Sequence, residues 1–382
     1  MRKHGKLLLS ILLSGILMSS TVSAEISGWK IEKNKTVDDG GNVVGINNND
    51  QILIQYNTGF PCIINDDSKT SINGLGGTNV HVRSINDKGQ VVGSSNFEDG
   101  QISLDAFLWD KGKSIDLGRL GGSYSEAYDI NNLGQIVGFT DVAEGKRTAC
   151  LWDNGKIIPL GTLDGESSVA VAINDKGQII GNISYSDKTT HAFLWENGIM
   201  KKLEMLDGCK SSNACDLNNK GEIAGNCRNH AVLWNDKGIQ DLGQGSEVHG
   251  DSASAVSIND SGFICGKVMI NSKVNDAAIW YEDKMISTMG SFCPCFINNK
   301  NHLAGNQYEV YGYTHPVICE LVKDSSGDVN CDGKINSKDI SLLKKALLNG
   351  STEGLNNADL NGDGKINSTD YSLLKRKILK EM

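Results

Sequence analysis

Ile85-Asn86-Asp87-Lys88-Gly89-Gln90-Val91-Val92-Gly93 sets Asn, Asp and Gly between apolar segments. This is hairpin chemistry, because Asn and Gly tolerate positive φ and an aspartate side chain caps the turn. The pattern returns at 130–138, 173–181, 217–225, 258–266 and, more loosely, 297–305, and a degraded copy begins at Ile46-Asn47. The leading asparagines fall at 47, 86, 131, 174, 218, 259 and 298, so seven units of about 42 residues follow one another. A period of that length points to a repeat architecture.

Two further anchors keep phase with the first. Ala106-Phe107-Leu108-Trp109 recurs at 149–152, 192–195, 231–234 and 277–280, and Asp116-Leu117-Gly118-Arg119-Leu120-Gly121-Gly122 is echoed at 160–165 and in Leu75-Gly76-Gly77. The runs between turns are four to five residues long and rich in β-branched or aromatic side chains, and nothing in 25–323 holds a helical period over three turns. About four strands per unit, repeated about seven times, predicts an all-β chain folded as a β-propeller of about seven blades. The competing β-solenoid usually has shorter coils. Val37-Asp38-Asp39-Gly40-Gly41-Asn42-Val43-Val44-Gly45, ahead of the first full copy, reads as a strand that closes the ring.

Glycine supplies 44 of 382 residues and proline only 4, which excludes collagen and proline-rich linkers and suits a chain full of tight turns. Arg2, Lys3 and Lys6, the apolar run 7–18 and Val22-Ser23-Ala24 before Glu25 read as a signal peptide over 1–24, so the product is expected to be secreted and extracellular. Removing those three cations takes the net charge from −9 to −12, which argues against nucleic acid or an anionic membrane as partner. No later run is long and apolar enough for membrane insertion. Of the ten cysteines, an exported protein would put some into disulfides, with the best-placed bridge inside the cluster Cys209, Cys215, Cys227. Cys150 and Cys265, by contrast, stand where the repeat has Phe and Val and read as small apolar residues. Cys293-Pro294-Cys295 is too close for an easy bridge, and no Cys/His spacing matches zinc.

No familiar hydrolase signature occurs in the repeats, and no catalytic residue is assigned. Asp87, Asp175 and Asp260 read as turn formers. Trp109, Trp152, Trp195, Trp234 and Trp280 read as core rather than as a sugar-stacking platform, because they recur at one repeat position. His191, His230 and His315 could meet on a metal only if their shared position lined the central channel.

From Asp328 the composition changes, and 328–348 matches 359–379 at 14 of 21 positions. Each copy fits the twelve-residue calcium loop: oxygen donors at positions 1, 3, 5 and 9 (Asp328, Asn330, Asp332, Asn336; Asp359, Asn361, Asp363, Asn367), glycine at 6 (Gly333, Gly364) and a closing carboxylate at 12 (Asp339, Asp370). Lys334 and Lys365 at position 7 would give backbone carbonyls. A hard cation wanting six to eight oxygens explains that alternation, and two loops in register predict two Ca2+. Each loop feeds an amphipathic helix, with Ile340, Leu343 and Leu347 on one and Tyr371, Leu374 and Ile378 on the other.

This loop-plus-exit-helix pair resembles the type I dockerin of cellulosomal proteins over 327–382, a small all-α module with two EF-hand-like loops. The resemblance implies calcium-dependent docking to a cohesin module on a scaffoldin. It places recognition at loop positions 10 and 11, Ser337-Lys338 and Ser368-Thr369, and at the basic pairs Lys344-Lys345 and Lys375-Arg376, with either half able to face the cohesin. The propeller units resemble the extracellular HAF repeat family, named for the tripeptide found here as His191-Ala192-Phe193. The expected division is a signal peptide 1–24, a HAF-repeat propeller 25–323, a linker 324–327 and a dockerin 328–382. The resemblance implies a cellulosome component acting in plant polysaccharide degradation. Its propeller is expected to bind polysaccharide or protein, or alternatively to be a polysaccharide-active hydrolase or lyase.

Overall fold

The computed structural model describes residues 29–38, 40–66, 68–98, 103–142, 146–243, 252–270, 274–282, 284–288, 292–308, 314–323, 325–331, 334–352, 355 and 357–380. The expected signal peptide, Asp39, Asp324, and Asp332 with Gly333 of the first calcium loop lie outside them. The repeat units form seven four-stranded antiparallel sheets, the blades of a β-propeller. Their inner strands, for blades one to seven, are Asn42–Ile46, Gly76–Ile85, Ser125–Ile130, Ser167–Ile173, Ser212–Leu217, Ser252–Ile258 and Phe292–Ile297.

The ring is closed by Trp29–Thr36, which pairs antiparallel with Thr314–Lys323 as the outermost strand of the seventh blade. Closure thus comes one element earlier than the 37–45 segment, whose second half starts the inner strand of blade one. Nothing in Trp29–Thr36 repeats, because it substitutes for a strand that other blades draw from their own unit.

Every inner strand carries a register shift at the same repeat position, between Val43 and Gly45, Val82 and Ser84, Ala127 and Asp129, Ala170 and Ala172, Ala214 and Asp216, Ala255 and Ser257, and Pro294 and Phe296. This bulge explains the glycine that ends the repeated motif. A Cβ at Gly93, Gly138, Gly181, Gly225, Gly266 or Gly305 would collide with the carbonyl oxygen of His81, Glu126, Val169, Asn213, Ser254 or Cys293 on the inner strand. That glycine therefore serves close backbone approach and not a turn.

Seven buried clusters occupy the seven junctions between neighbouring blades. The repeated tryptophans belong to them: Trp109, Trp152, Trp234 and Trp280 are buried, Trp195 packs on the junction of blades three and four, and the indole N–H of Trp234 and Trp280 donates to Glu204 O and Leu242 O. Cys150 and Cys265 are buried as expected of apolar residues. The bridge expected among Cys209, Cys215 and Cys227 is not formed, and all ten cysteines are thiols. Cys215 sits at the bulge and takes a hydrogen bond from the Asn226 amide, whereas Cys209 and Cys227 lie in the core between blades four and five.

Past the propeller, α1 (Ser337–Asn349) and α2 (Ser368–Lys380) pack around Val329, Leu343, Ala358 and Leu374. The three apolar positions expected on each helix all join this core. Asn336 and Asp339 form a reciprocal capping box at the start of α1, and Gly350 ends it in the left-handed region. Among the described residues no helix is long and apolar enough to cross a membrane.

Candidate calcium loops and the propeller channel

The hairpin asparagines do more than turn the chain. Each Oδ1 accepts from the backbone N–H groups two and four residues on, as Asn174 does from Lys176 and Gln178. Each Nδ2 donates to the backbone oxygen of the corresponding asparagine in the next blade: 47 to 86, 86 to 131, 131 to 174, 174 to 218, 218 to 259, 259 to 298 and 298 back to 47, at 2.8–3.1 Å. All seven are buried.

The next residue makes a second closed ring. Asn48, Asp87, Asn132, Asp175, Asn219, Asp260 and Asn299 each donate a backbone N–H to the side-chain oxygen of the following member. The turn aspartates therefore spend their side-chain oxygens on neighbouring blades, and it is the asparagine before each of them, not the aspartate as expected, that caps the turn. Sequence reasoning missed this because each partner lies about 42 residues away.

Inside these rings lies a cavity of about 280 Å³ lined by the inner strands. It holds Asp129 and Asp216 at one repeat position of blades three and five. Asp129 accepts from Ser84 Oγ at 2.6 Å and from Ile173 N at 2.9 Å. Asp216 accepts from Ser257 Oγ at 2.7 Å, Ile258 N at 2.9 Å and Leu217 N at 2.8 Å. Burial raises both carboxyl groups above the ordinary range, Asp216 to about 7. Arg83 is the basic residue of the lining. Glu126 holds it at 2.7 Å, and its guanidinium lies over the Tyr128 ring at 5.2 Å.

The shared histidines do not converge. They sit on the third strands of their blades, Thr190–Glu196, His230–Asn235 and Thr314–Lys323, and none lines the cavity. Among the described residues no three His, Cys, Asp or Glu side chains gather as a metal site. The calcium loops draw part of their oxygens from asparagine and backbone.

In the second loop the Asp370 carboxylate is fully buried and meets only backbone, accepting from Leu360 N at 2.9 Å and Asn367 N at 2.8 Å. Asp359 accepts from Gly362 N and Gly364 N, both at 2.8 Å, and Gly364 takes φ +77°, the bend wanted at position 6. Asn361 and Asp363 bond each other between them, and Asn367 accepts from Thr369 N.

The first loop repeats the frame where it is described. Asp339 is fully buried and accepts from Asn330 N at 3.1 Å and Asn336 N at 2.8 Å, and Asp328 is buried as well. A carboxylate met by one N–H per oxygen has lone pairs to spare, and among the described residues no basic side chain forms an ion pair with Asp339 or Asp370. Such a set fits a hard divalent cation.

Ser337, Lys338, Lys344, Lys345, Ser368, Thr369, Lys375 and Arg376 are all exposed, as are Lys334 and Lys365. The duplication also leaves Leu348 and Leu379 exposed at equivalent positions, 76% and 61%, one turn beyond the basic pairs. The amphipathic pattern hid these two, because a leucine in a leucine-rich helix reads as core.

Fold and loops together define a seven-bladed β-propeller followed by a type I dockerin, and residues 326–379 match the model of the dockerin type I domain. Residues 123–341, over half the chain, match the family described as "Protein of unknown function (DUF3466)", and the chain belongs to that family. A type I dockerin implies docking to a cellulosome through a cohesin, domains of this type bind calcium, and they are typical of extracellular components.

Among solved structures, a catalytically inactive virginiamycin B lyase from Staphylococcus aureus, determined with quinupristin, is 15% identical with a TM-score of 0.51, over 77% of this chain and 100% of that one. A streptogramin B lyase is 10% identical with a TM-score of 0.51, over 77% and 98%. Likeness at these identities concerns the fold alone. No relative is found among the curated proteins.

Proposed function

We propose that the chain is a secreted, non-catalytic cellulosome component. Its C-terminal 328–382 module binds two Ca2+ and docks onto a scaffoldin cohesin. Its propeller, 25–323, of the HAF-repeat type and joined by the linker 324–327, presents a polysaccharide- or protein-binding surface. The signal peptide 1–24 would direct export. One observation carries the docking reading: two duplicated loops each bury a position-12 carboxylate, Asp339 and Asp370, against backbone N–H alone.

The ligands follow from the loop positions: Asp328, Asn330, Asp332, Lys334 (carbonyl), Asn336 and Asp339 for one ion, and Asp359, Asn361, Asp363, Lys365 (carbonyl), Asn367 and Asp370 for the other. Ser337, Lys338, Lys344 and Lys345, or the matching Ser368, Thr369, Lys375 and Arg376, supply the polar part of the docking face. Leu348 or Leu379 supplies an apolar anchor.

Catalysis in the propeller is disfavoured by where its carboxylates are spent. Asp129 and Asp216 are tied by hydroxyl and N–H groups of neighbouring blades, and the mouth aspartates are tied by the second ring. The full-length protein should bind immobilised cohesin in calcium and lose it in excess chelator; retention in chelator would refute the docking account. Incubated with plant glycans, it should release no reducing or unsaturated ends, and release would favour the enzyme reading.

A further inference from the structure

A β-bulge re-aims one side chain. In the inner strands of blades one to seven the bulged residue is Val44, Arg83, Tyr128, Val171, Cys215, Val256 and Cys295 in turn, and in blades one to six it lines the channel cavity. Valine or cysteine holds the position everywhere except in blades two and three. Arg83 and Tyr128 therefore make one polar wall of the cavity, and Val256 of blade six stands across the ring from them.

Arg83 is fixed from behind. Its Nε and Nη2 both lie 2.7 Å from Glu126 Oε1, Glu126 is buried, and the Tyr124 hydroxyl donates to Glu126 Oε2 at 3.0 Å. The guanidinium lies over the Tyr128 ring at 5.2 Å, and Phe139 packs on Tyr124 and Tyr128 at 5.5 and 6.0 Å between ring centroids. Among the described residues nothing meets Nη1, and the arginine side chain is 45% exposed. A guanidinium anchored along one edge by a buried carboxylate offers its other edge, in a set orientation, to a planar oxyanion. The carboxyl groups of the lining are answered elsewhere: Asp129 and Asp216 by donors of neighbouring blades, the mouth aspartates by the second ring. Burial moves Asp129 and Asp216 toward the neutral form, which lessens their repulsion of an anion.

We propose that this wall binds the carboxylate of a single acidic sugar unit, a hexuronate, with Arg83 on the carboxylate and the pyranose ring between Tyr128 and the valines. The inference rests on the reading of the propeller as a polysaccharide-binding module and names the sugar class it takes. A cavity of about 280 Å³ is at the small end of ligand sites, so the site suits a free acid or a chain end and not a length of chain. An acidic peptide side chain would bring the carboxylate alone, whereas a uronate also fills the valine-lined remainder with its ring.

The test is calorimetric titration of the full-length protein with galacturonate, with galactose, which carries a hydroxymethyl group in place of the carboxylate, and with glutarate, which has carboxylates and no ring. Galacturonate should bind about ten-fold or more tighter than either. Arg83→Met combined with Glu126→Gln removes both charges of the pair together and should weaken galacturonate by a similar factor. Val256→Phe, which fills the far side of the cavity and leaves Arg83 in place, should weaken it as well. Galacturonate held no tighter than galactose, by a protein that still retains plant glycans, overturns the inference and leaves the polysaccharide reading standing. A protein that holds neither sugar nor any plant glycan overturns both. Glutarate bound as tightly as galacturonate overturns the assignment to a sugar, and so does an unchanged galacturonate affinity in either variant, provided that variant melts as the parent does.

Discussion

The propeller turns and the calcium loops draw on the same residue types, Asn, Asp and Gly, and use them in opposite ways. At the channel mouth every carboxylate oxygen of Asp87, Asp175 and Asp260 is met by an N–H from the adjoining turn, so the ring is complete without an ion. In the C-terminal loops Asp339 and Asp370 find only the backbone of their own loop. The cause is the neighbour. A repeat always has a near-copy of itself alongside, and that copy supplies complementary donors at the same height; two short helices have none to spare. A loop of this composition thus suits a metal where its closing carboxylate, as at Asp339 and Asp370, meets only the backbone of its own loop.

The largest effect that could break this contrast is removal of calcium. Chelation should lower cohesin affinity on the order of 100-fold or more, because ion binding is part of the folding free energy of so small a module. The main calorimetric transition, that of the propeller, should stay where it was. A propeller melt that falls in step with cohesin binding would mean the two regions do not differ as argued.

Asn174→Ala should do the reverse. It strips acceptors from Lys176 N and Gln178 N and donors from Gln178 Oε1 and Asn218 O in a buried ring, at a cost of roughly 3 kcal/mol read from denaturant unfolding. Cohesin binding should be unchanged. Gly138→Ala, which drives a methyl group toward Glu126 O, should cost about 2 kcal/mol, again without touching docking.

How much of this was legible follows from the range of each interaction. The hairpin is local, and so its period and strand count were readable from Asn, Asp and Gly alone. The calcium loops are local too, and their twelve positions carry the donor set in order. The partner of an asparagine amide 39–45 residues away leaves no mark in its own unit, so the turn reading stopped at the turn. The glycine that closes each motif carries no mark of its role, because sequence cannot separate a positive φ, as at Gly89, from a close approach, as at Gly93. Trp29–Thr36 was invisible as the closing strand since it copies no repeat, and Leu348 and Leu379 were masked by a leucine-rich pattern.

The smallest effect sharpens the comparison from within the propeller. Burial raises the Asp216 carboxyl to about 7 in the folded protein, against about 3.9 for an unfolded aspartate. Between those values the native state holds a proton the unfolded chain has lost. Its contribution to stability is therefore fully present below about pH 4 and declines as pH rises to about 7, with a slope bounded by ~1.4 kcal/mol per pH unit. Asp216 borders the cavity and water reaches it, which keeps the slope well under that bound. Asp129 shifts in the same direction and adds to it. Unfolding measured from pH 4 to 7 should show the decline, and Asp216→Asn should flatten it whatever it does to absolute stability. An unchanged slope in Asp216→Asn would mean that Ser257, Ile258 and Leu217 already stabilise the ionised carboxylate. The propeller would then meet charge with its own donors even inside the channel, and the contrast with the calcium loops would be complete.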